Sequence, residues 1–281
     1  MKRTVWAVAV LGLLAAAPVL AQAVVDETRR EAIRGVPDRW GFTLGSFWQT
    51  FDTRVRLDAS DGETGTEIDF EKDLGLNDRL TDFDFKSFYR FADRHRLDLT
   101  YLAWDRTNAT VIDRQIQWGD EVFDVNANVE TREKAQLLNL IYKYSFFNNG
   151  RVDFGLNGGI SSLWSDTRLS GETSNDGGHV ATESKNVIFP IPVLGLHFEM
   201  TLAKRFFWSA EGNFFDASIA GYEGHVNEVT TALDYFVTKN IALGVGFAST
   251  TYNVGKEGSE GGDARVRLSF SGVLAHLAFA F

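Results

Sequence analysis

Apolar and polar residues alternate along most of the chain after residue 39. In WGFTLGSFW, which begins at Trp40, aromatic and aliphatic side chains occupy mainly every second position. The final stretch, SFSGVLAHLAFAF, places Val273, Leu277 and Phe279 on one face of an extended chain and His276 on the other. Because successive side chains of a strand point to opposite faces, this period of two predicts β-strands that each have one apolar face.

The segments that connect the predicted strands alternate between short and long. Short turns are predicted at 92–95, 147–150, 203–205 and 238–240. Long polar loops, rich in glycine and acidic residues, are predicted from 58, around 106–128, from 170, from 216 and from 255. Four turns and five loops predict about ten antiparallel strands, within a range of about eight to twelve, with both termini on the side of the short turns.

After the N-terminal segment, no uncharged apolar run is long enough to cross a bilayer as a helix. The best candidate, NVIFPIPVLGLHFEM, is interrupted by Pro190 and Pro192. Lipid cannot satisfy backbone hydrogen bonds, so a membrane sheet must close on itself. We therefore predict an all-β fold: a single closed antiparallel transmembrane β-barrel over residues 39–281, with its apolar face outward and its small or polar face toward the lumen.

The N-terminus has the pattern of a secretory signal peptide. Lys2 and Arg3 precede an apolar run, and small residues at Ala21 and Ala23 are spaced for cleavage. We predict a signal peptide over 1–23 and a short charged lead-in over 24–38. The chain has no cysteine, so no disulfide holds the exported protein together.

The charge balance is acidic. The chain carries 28 basic and 38 acidic residues, and loss of Lys2 and Arg3 with the signal would leave 26 against 38, a formal charge of −12. This excess argues against nucleic acid as a partner.

The signal peptide, the alternating strands and the last strand VLAHLAFAF, which ends at Phe281, together resemble the small outer-membrane β-barrel proteins of Gram-negative bacteria. The resemblance covers nearly the whole mature chain. It implies short periplasmic turns, long extracellular loops, and contact with outer-membrane lipid and lipopolysaccharide. It also implies that Phe281, with Phe279 on the same face, is the signal recognised by the barrel-assembly machinery after periplasmic chaperones deliver the chain.

Aromatic residues concentrate near the predicted short turns, where a girdle would meet the lipid headgroups. The predicted girdle consists of Tyr89, Phe91, Tyr142, Tyr144, Phe146, Phe206, Trp208 and Tyr235.

Charged residues of both signs are predicted to face the lumen and to plug it with ion pairs. Folding the hairpins about their turns sets Arg90 opposite Asp98 and His197 opposite Glu211. A slender passage beside the glycines and alanines of 241–248 is the alternative. The predicted lumen polar network is Lys86, Arg90, Asp98, Lys143, Asp153, His197, Glu199, Glu211 and Asp234.

The sequence offers little support for catalysis. Asp82 and Asp84 match half of the acidic site of omptin-type barrel proteases, but we expect no Asp-x-His pair to complete it. Residues His197, Glu199 and Glu211 would be acceptable metal ligands, although a hydrogen-bonded lumen histidine is the commoner arrangement. We predict no catalytic residue, cofactor or metal.

We therefore predict a non-enzymatic outer-membrane protein with a structural role in the envelope, or a surface-binding role through its acidic loops. The alternative is a narrow porin-like channel for small or cationic solutes, and a barrel hydrolase is less favoured.

Overall fold

A computed structural model describes residues 39–172, 180–219, 222–256 and 263–281. The predicted signal peptide and lead-in lie outside these residues. The strands are β1 (Trp40–Leu57), β2 (Ile68–Asp69), β3 (Arg79–Ala92), β4 (His95–Val111), β5 (Ile116–Trp118), β6 (Glu121–Phe123), β7 (Asn128–Asn148), β8 (Val152–Glu172), β9 (Val180–Ala203), β10 (Phe206–Ile219), β11 (Tyr222–Phe236), β12 (Ile241–Lys256) and β13 (Ala264–Ala280). Within the described residues, no helix is both long and apolar enough to cross a membrane.

Ten long strands form a closed antiparallel barrel in the order β1-β3-β4-β7-β8-β9-β10-β11-β12-β13. Strand β13 returns to pair with β1 from Gly41↔Ala280 to Leu57↔Ala264, which closes the barrel. The short strand β2 adds only to β1, and β5 with β6 forms a separate small hairpin. The predicted all-β barrel of about ten strands is confirmed.

Four short connections, β3–β4, β7–β8, β9–β10 and β11–β12, lie together with the first and last strand ends. We call this end of the barrel the turn end and the opposite end the loop end. The long loop predicted from 216 is wrong, because β10 runs to Ile219 and β11 begins at Tyr222. Its polar residues continue the ladder, with Asp216 opposite His225. Polar residues that face water occur in paired strands as well as in loops, so the polarity of this segment did not show where β10 ends.

The inward and outward faces exchange their character along the barrel axis. In the half nearer the turn end, outward side chains are apolar and exposed, as at Leu194 (65%) and Val245 (58%). In the half nearer the loop end, the inward side chains of Phe51, Trp104 and Phe270 are buried and apolar. Outward positions in that half are polar: Thr50, Asp52, Asp105, Arg132 and Lys134.

The prediction of a small or polar inward face is therefore wrong for the loop half. There the barrel follows the ordinary rule of water-soluble proteins, with apolar residues inside and polar residues outside. In the turn half the pattern is inverted, as lipid contact requires. The place where the outward face changes from apolar to polar marks the edge of the hydrocarbon layer.

The connections at the loop end extend the apolar core of that half. Ile68 of β2 and Phe70 and Leu74 beyond it are fully buried, and so are Trp118 and Phe123 of the β5–β6 hairpin. These residues belong to the same hydrophobic cluster as the inward residues of the loop half. The loop end is thus filled by its own connecting segments.

Aromatic pairs reinforce the seam between the first and last strands at the turn end. The rings of Trp40 and Phe281 stack with centroids 4.6 Å apart, and those of Phe42 and Phe279 with centroids 4.7 Å apart. The backbones of Trp40 and Phe281 also exchange two hydrogen bonds, of 3.0 and 2.8 Å. Of the predicted girdle, Tyr144 and Trp208 are half-buried, and the exposed members are Tyr89, Phe91, Tyr142, Phe146, Phe206 and Tyr235.

Candidate functional site

A network of ion pairs lies on the inward face of the turn half. Lys143 of β7 lies 2.9 Å from Asp98 and 2.5 Å from Glu211. The Arg96 guanidinium donates two hydrogen bonds to Asp98, at 2.7 and 3.0 Å, and two to Glu199, at 3.0 and 2.6 Å. Two cations thus hold three carboxylates from β4, β9 and β10, and the bidentate Arg96 contacts have the geometry of strong pairs.

Arg90 does not face Asp98, contrary to the sequence-based pairing. A bulge between Arg90 and Ala92 shifts the register, so that Arg90 lies opposite Arg96 and Phe88 opposite Asp98. An extra residue in one strand is the usual effect of a β-bulge.

Arg90 instead reaches across to β8, where its Nη2 lies 3.1 Å from Asp153. His197 lies opposite Glu211, as the folding of that hairpin predicts. Its ring contacts different groups, however: Nδ1 lies 2.7 Å from the Asn157 side-chain oxygen and Nε2 lies 3.5 Å from Asp153.

A second group of polar residues surrounds the buried carboxylate of Glu228. Tyr252 donates a hydrogen bond of 2.6 Å to it, Asn139 one of 3.1 Å and Asn213 one of 3.5 Å. Ser161 also contacts both Glu228 and Tyr252. Neutral donors therefore satisfy this carboxylate, as burial of a polar group requires.

The predicted passage beside the small residues of β12 is filled. His276 and Asp234 are hydrogen-bonded at 2.6 Å over Gly244. A Cβ on Gly244 would lie 2.0 Å from the imidazole and 2.2 Å from the carboxylate, and one on Gly246 would lie 2.5 Å from Leu274. The glycines admit side chains from neighbouring strands rather than solutes.

A cavity of about 240 Å³ lies beside the network and extends from the apolar core of the loop half to Phe236 and Ala280 near the turn end. Its roof includes Phe47, Leu102 and Phe270, and its polar wall includes Lys86, whose amine lies 3.9 Å from Asp84. At about 30 Å³ per water molecule, this volume admits several waters. The cavity is thus large enough to hold water, and the apolar residues Phe47, Leu102 and Phe270 close it toward the loop end.

Arg106 ties the loop-end core together. Its guanidinium, 1% exposed, lies 2.5 Å from Glu133 of β7 and 2.6 Å from Glu71 of the β2–β3 connection. The guanidinium also donates a hydrogen bond of 2.8 Å to the Thr53 hydroxyl and lies 4.6 Å from the ring centre of Phe51. This buried cation fastens the connecting segment 58–78 into the barrel mouth.

Sequence reasoning missed Arg96 and Arg106, which are the best-connected cations in the lumen. Their position on the strand offered a signal, because they share the even-numbered inward face of β4 with Asp98 and Leu102. It also missed that Tyr252, although aromatic, faces inward.

The acidic pair Asp82 and Asp84 lies on β3 without a histidine partner among the contacts of the described chain. Asp82 accepts a hydrogen bond of 2.5 Å from Gln49. The expectation that the chain lacks an Asp-x-His pair is wrong, because Asp93 and His95 have this spacing, but the pair lies at the β3–β4 turn, at the other end of the barrel. At about 3.4 Å per residue, Asp93 is roughly 37 Å from Asp82 along the strand.

The described segments also contain no group of three or more metal-ligating side chains arranged to hold an ion. His197, Glu199 and Glu211, the candidate metal ligands, are engaged instead by Asn157, Arg96 and Lys143 respectively.

Comparison with known proteins shows the fold alone. No protein-family model and no curated sequence matches this chain. The structure is similar to that of the outer membrane protease OmpT from Escherichia coli, with a TM-score of 0.57, 13% identity, and coverage of 89% of this chain and 99% of that one. Weaker likenesses are to the outer membrane protein OprG from Pseudomonas aeruginosa (TM-score 0.37, 13% identity, 89% and 99% coverage) and to the Pseudomonas putida toluene transporter TodX (TM-score 0.34, 8% identity, 88% and 90% coverage).

The chain therefore has the fold of a Gram-negative outer-membrane β-barrel.

Proposed function

We propose that this outer-membrane-type barrel is a non-enzymatic, non-conducting envelope protein that holds a rigid, filled β-structure above the outer leaflet for a structural or surface-binding role. The observation that carries the proposal is the closure of the lumen in its loop half. An apolar core with Arg106 at its centre fills that half, and the ionic network occupies part of the turn half beside the cavity.

A solute would have to cross the apolar layer of the loop half. It would need to part Phe51, Trp104 and Phe270, whose rings lie 5.3 to 5.7 Å apart. An ion that enters an apolar constriction loses its hydration, so such a layer blocks conduction.

The strands that continue beyond the apolar belt support a role at the cell surface. The loop-end portions of β7 and β8 extend far past the last lipid-facing residues of these strands, and their outward positions are polar.

The arrangement of the acidic residues supports the non-enzymatic part of the proposal. Proton transfer in hydrolysis requires a general base within about 3 Å of its reacting partner. Asp82 contacts Gln49, and among the described residues no histidine contacts the Asp82 and Asp84 pair.

The test is single-channel recording of the refolded mature protein in a planar bilayer. Insertion is first verified by the shift of the folded band on an unheated gel. We expect no steady conductance. Steady openings would overturn the closed-lumen proposal and favour the narrow channel. Incubation of the same preparation with peptides and with lipopolysaccharide should produce no cleavage, and turnover of either would overturn the non-enzymatic assignment.

A further inference from the structure

Two pairs of arginines face each other on the outer surface of the barrel, across the seam between β1 and β13. In the register of these strands, Arg54 lies directly opposite Arg267, and Arg56 directly opposite Arg265. We call these four residues the arginine patch. Like charges placed directly opposite each other destabilise a strand pair. In a chain with a formal net charge of −10, such a concentration of positive charge needs a local explanation.

Carboxylates of the chain neutralise Arg54 only loosely. Arg54 Nε lies 3.5 Å from Asp52 and 3.5 Å from Asp69, beyond the usual length of about 2.7–2.9 Å for a charge-assisted hydrogen bond. Asp69 is also bound to Lys72, whose amine lies 2.7 Å away. Burial alone would raise the pKa of Asp69, but the hydrogen bonds from Lys72 outweigh it and hold this pKa below its ordinary value.

The other members of the patch differ in their neutralisation. Arg56 is paired with Asp58 at 3.0 Å. Arg265 is 53% exposed in its side chain and lies 3.9 Å from Glu223. Arg267 is exposed and has no ion-pair partner among the residues that the structure describes. Three guanidinium groups thus keep donors that are free to bind an external anion.

The patch lies well above the hydrocarbon layer. On β13 the large apolar outward residue nearest the loop end is Val273, and Arg267 lies six residues closer to the loop end. On β1 the corresponding apolar residue is Trp48, and Arg54 again lies six residues closer to the loop end. At about 3.4 Å per residue and a strand tilt of about 40°, this distance is roughly 15 Å along the membrane normal. The patch faces sideways at this height, toward whatever surrounds the protein in the outer leaflet.

The surface around the patch forms a shallow groove across five strands. The acidic residues of the groove lie mainly on β10 and β11, and its arginines are confined to β13 and β1. The groove is lined by Arg54, Glu67, Asp216, Ala217, Ser218, Glu223, Gly224, His225, Asn253, Gly255, Arg265 and Arg267.

We propose that the arginine patch is a binding site for lipopolysaccharide, in which the guanidinium groups of Arg54, Arg265 and Arg267 bind the phosphate and carboxylate groups of the inner saccharide core. Arginine matches such oxyanions bidentately, and the height places the site above the lipid A acyl region. The proposal rests on the outer-membrane location in the proposed function, but not on a closed lumen.

The experiment measures the binding of purified lipopolysaccharide to the refolded protein in an uncharged detergent, with EDTA present to remove bridging cations. Thermal unfolding followed by tryptophan fluorescence reports binding, because a ligand that binds only the folded state raises the midpoint. Arg54→Gln/Arg267→Gln should bind about tenfold more weakly or worse, since it loses two charge-assisted contacts. Arg267→Gln alone, which breaks no ion pair with a described residue, should weaken binding without lowering the midpoint of the free protein.

Arg132→Gln is the matched control. Arg132 lies on β7, six residues beyond the last apolar outward residue Leu138, and is exposed like the patch, but it is paired with Asp105 at 2.7 Å. This variant should bind as the wild type does.

Four results would overturn the site. The first is unchanged binding by both patch variants, and the second is equal weakening by Arg132→Gln. The third is loss of wild-type binding in EDTA, which would assign the contact to cation bridges. The fourth is equal binding of lipid A that lacks the saccharide core, or of a soluble sulfated disaccharide, which would assign the patch to a different anion. Conductance of the same preparation tests the closed lumen separately, so the two proposals can fail independently.

Discussion

Replacement of Arg96 by methionine tests the physical basis of the lumen network. The side chain is buried and holds Asp98 and Glu199 through four hydrogen bonds of 2.6 to 3.0 Å. In Arg96→Met, Lys143 alone would face three carboxylates. Removal of one partner from a buried ion pair costs about 3–5 kcal/mol, because the remaining charge is left without compensation. Water in the adjoining cavity of about 240 Å³ can solvate part of that charge, so we expect about 3 kcal/mol, at the lower end of this range.

The assay is urea unfolding of the refolded protein in lipid vesicles, followed by tryptophan fluorescence and by gel mobility. Arg96→Met/Glu199→Gln, which removes one negative charge as well, should recover a large part of the loss. Arg132→Met, which breaks the exposed pair with Asp105, should leave the urea midpoint unchanged. The reasoning is refuted if Arg96→Met costs less than about 1 kcal/mol, the range of exposed pairs, or if the double variant is less stable than the single one.

Three further predictions concern the β12 glycine, the loop latch and the seam. Gly244→Val should prevent stable folding, because its Cβ would lie 2.0 Å from a nitrogen of His276, whereas Gly212→Ala, whose Cβ would lie 3.9 Å from its nearest neighbour, should fold normally as judged by gel mobility. Equal folding of the two variants would contradict the tight packing at Gly244. Glu71→Gln should speed protease cleavage within 58–78, because it weakens the 2.6 Å ion pair with the buried Arg106, whereas Glu63→Gln, an exposed change in the same segment, should not. Equal cleavage rates would show that the Glu71–Arg106 pair does not hold the segment in place. Phe281→Ala should reduce the folded fraction in cells much more than in refolding of the purified protein, because the terminal aromatic acts as an assembly signal. An equal reduction in both would show that Phe281 contributes only its ring stack with Trp40, at 4.6 Å.

The alternation of side chains and the spacing of turns were sufficient to predict the ten-strand closed barrel. The positions of Trp40, Val273 and Phe279 identify the lipid-facing side. A strand has only two faces, and the face that contacts lipid must be apolar. The inward position of Lys143, Glu199 and Glu211 follows from the same period of two.

Only the tertiary structure decided which of these groups meet. The partners of Arg96 come from its own strand and from β9, and no local pattern connects residues 103 positions apart in the chain. The bulge that moves Arg90 away from Asp98 depends on how the turn closes, and one residue of slip changes every pair beyond it. The apolar filling of the loop half escaped prediction because water bathes the outside of those strands, and the sequence alone does not mark the height at which lipid gives way to water.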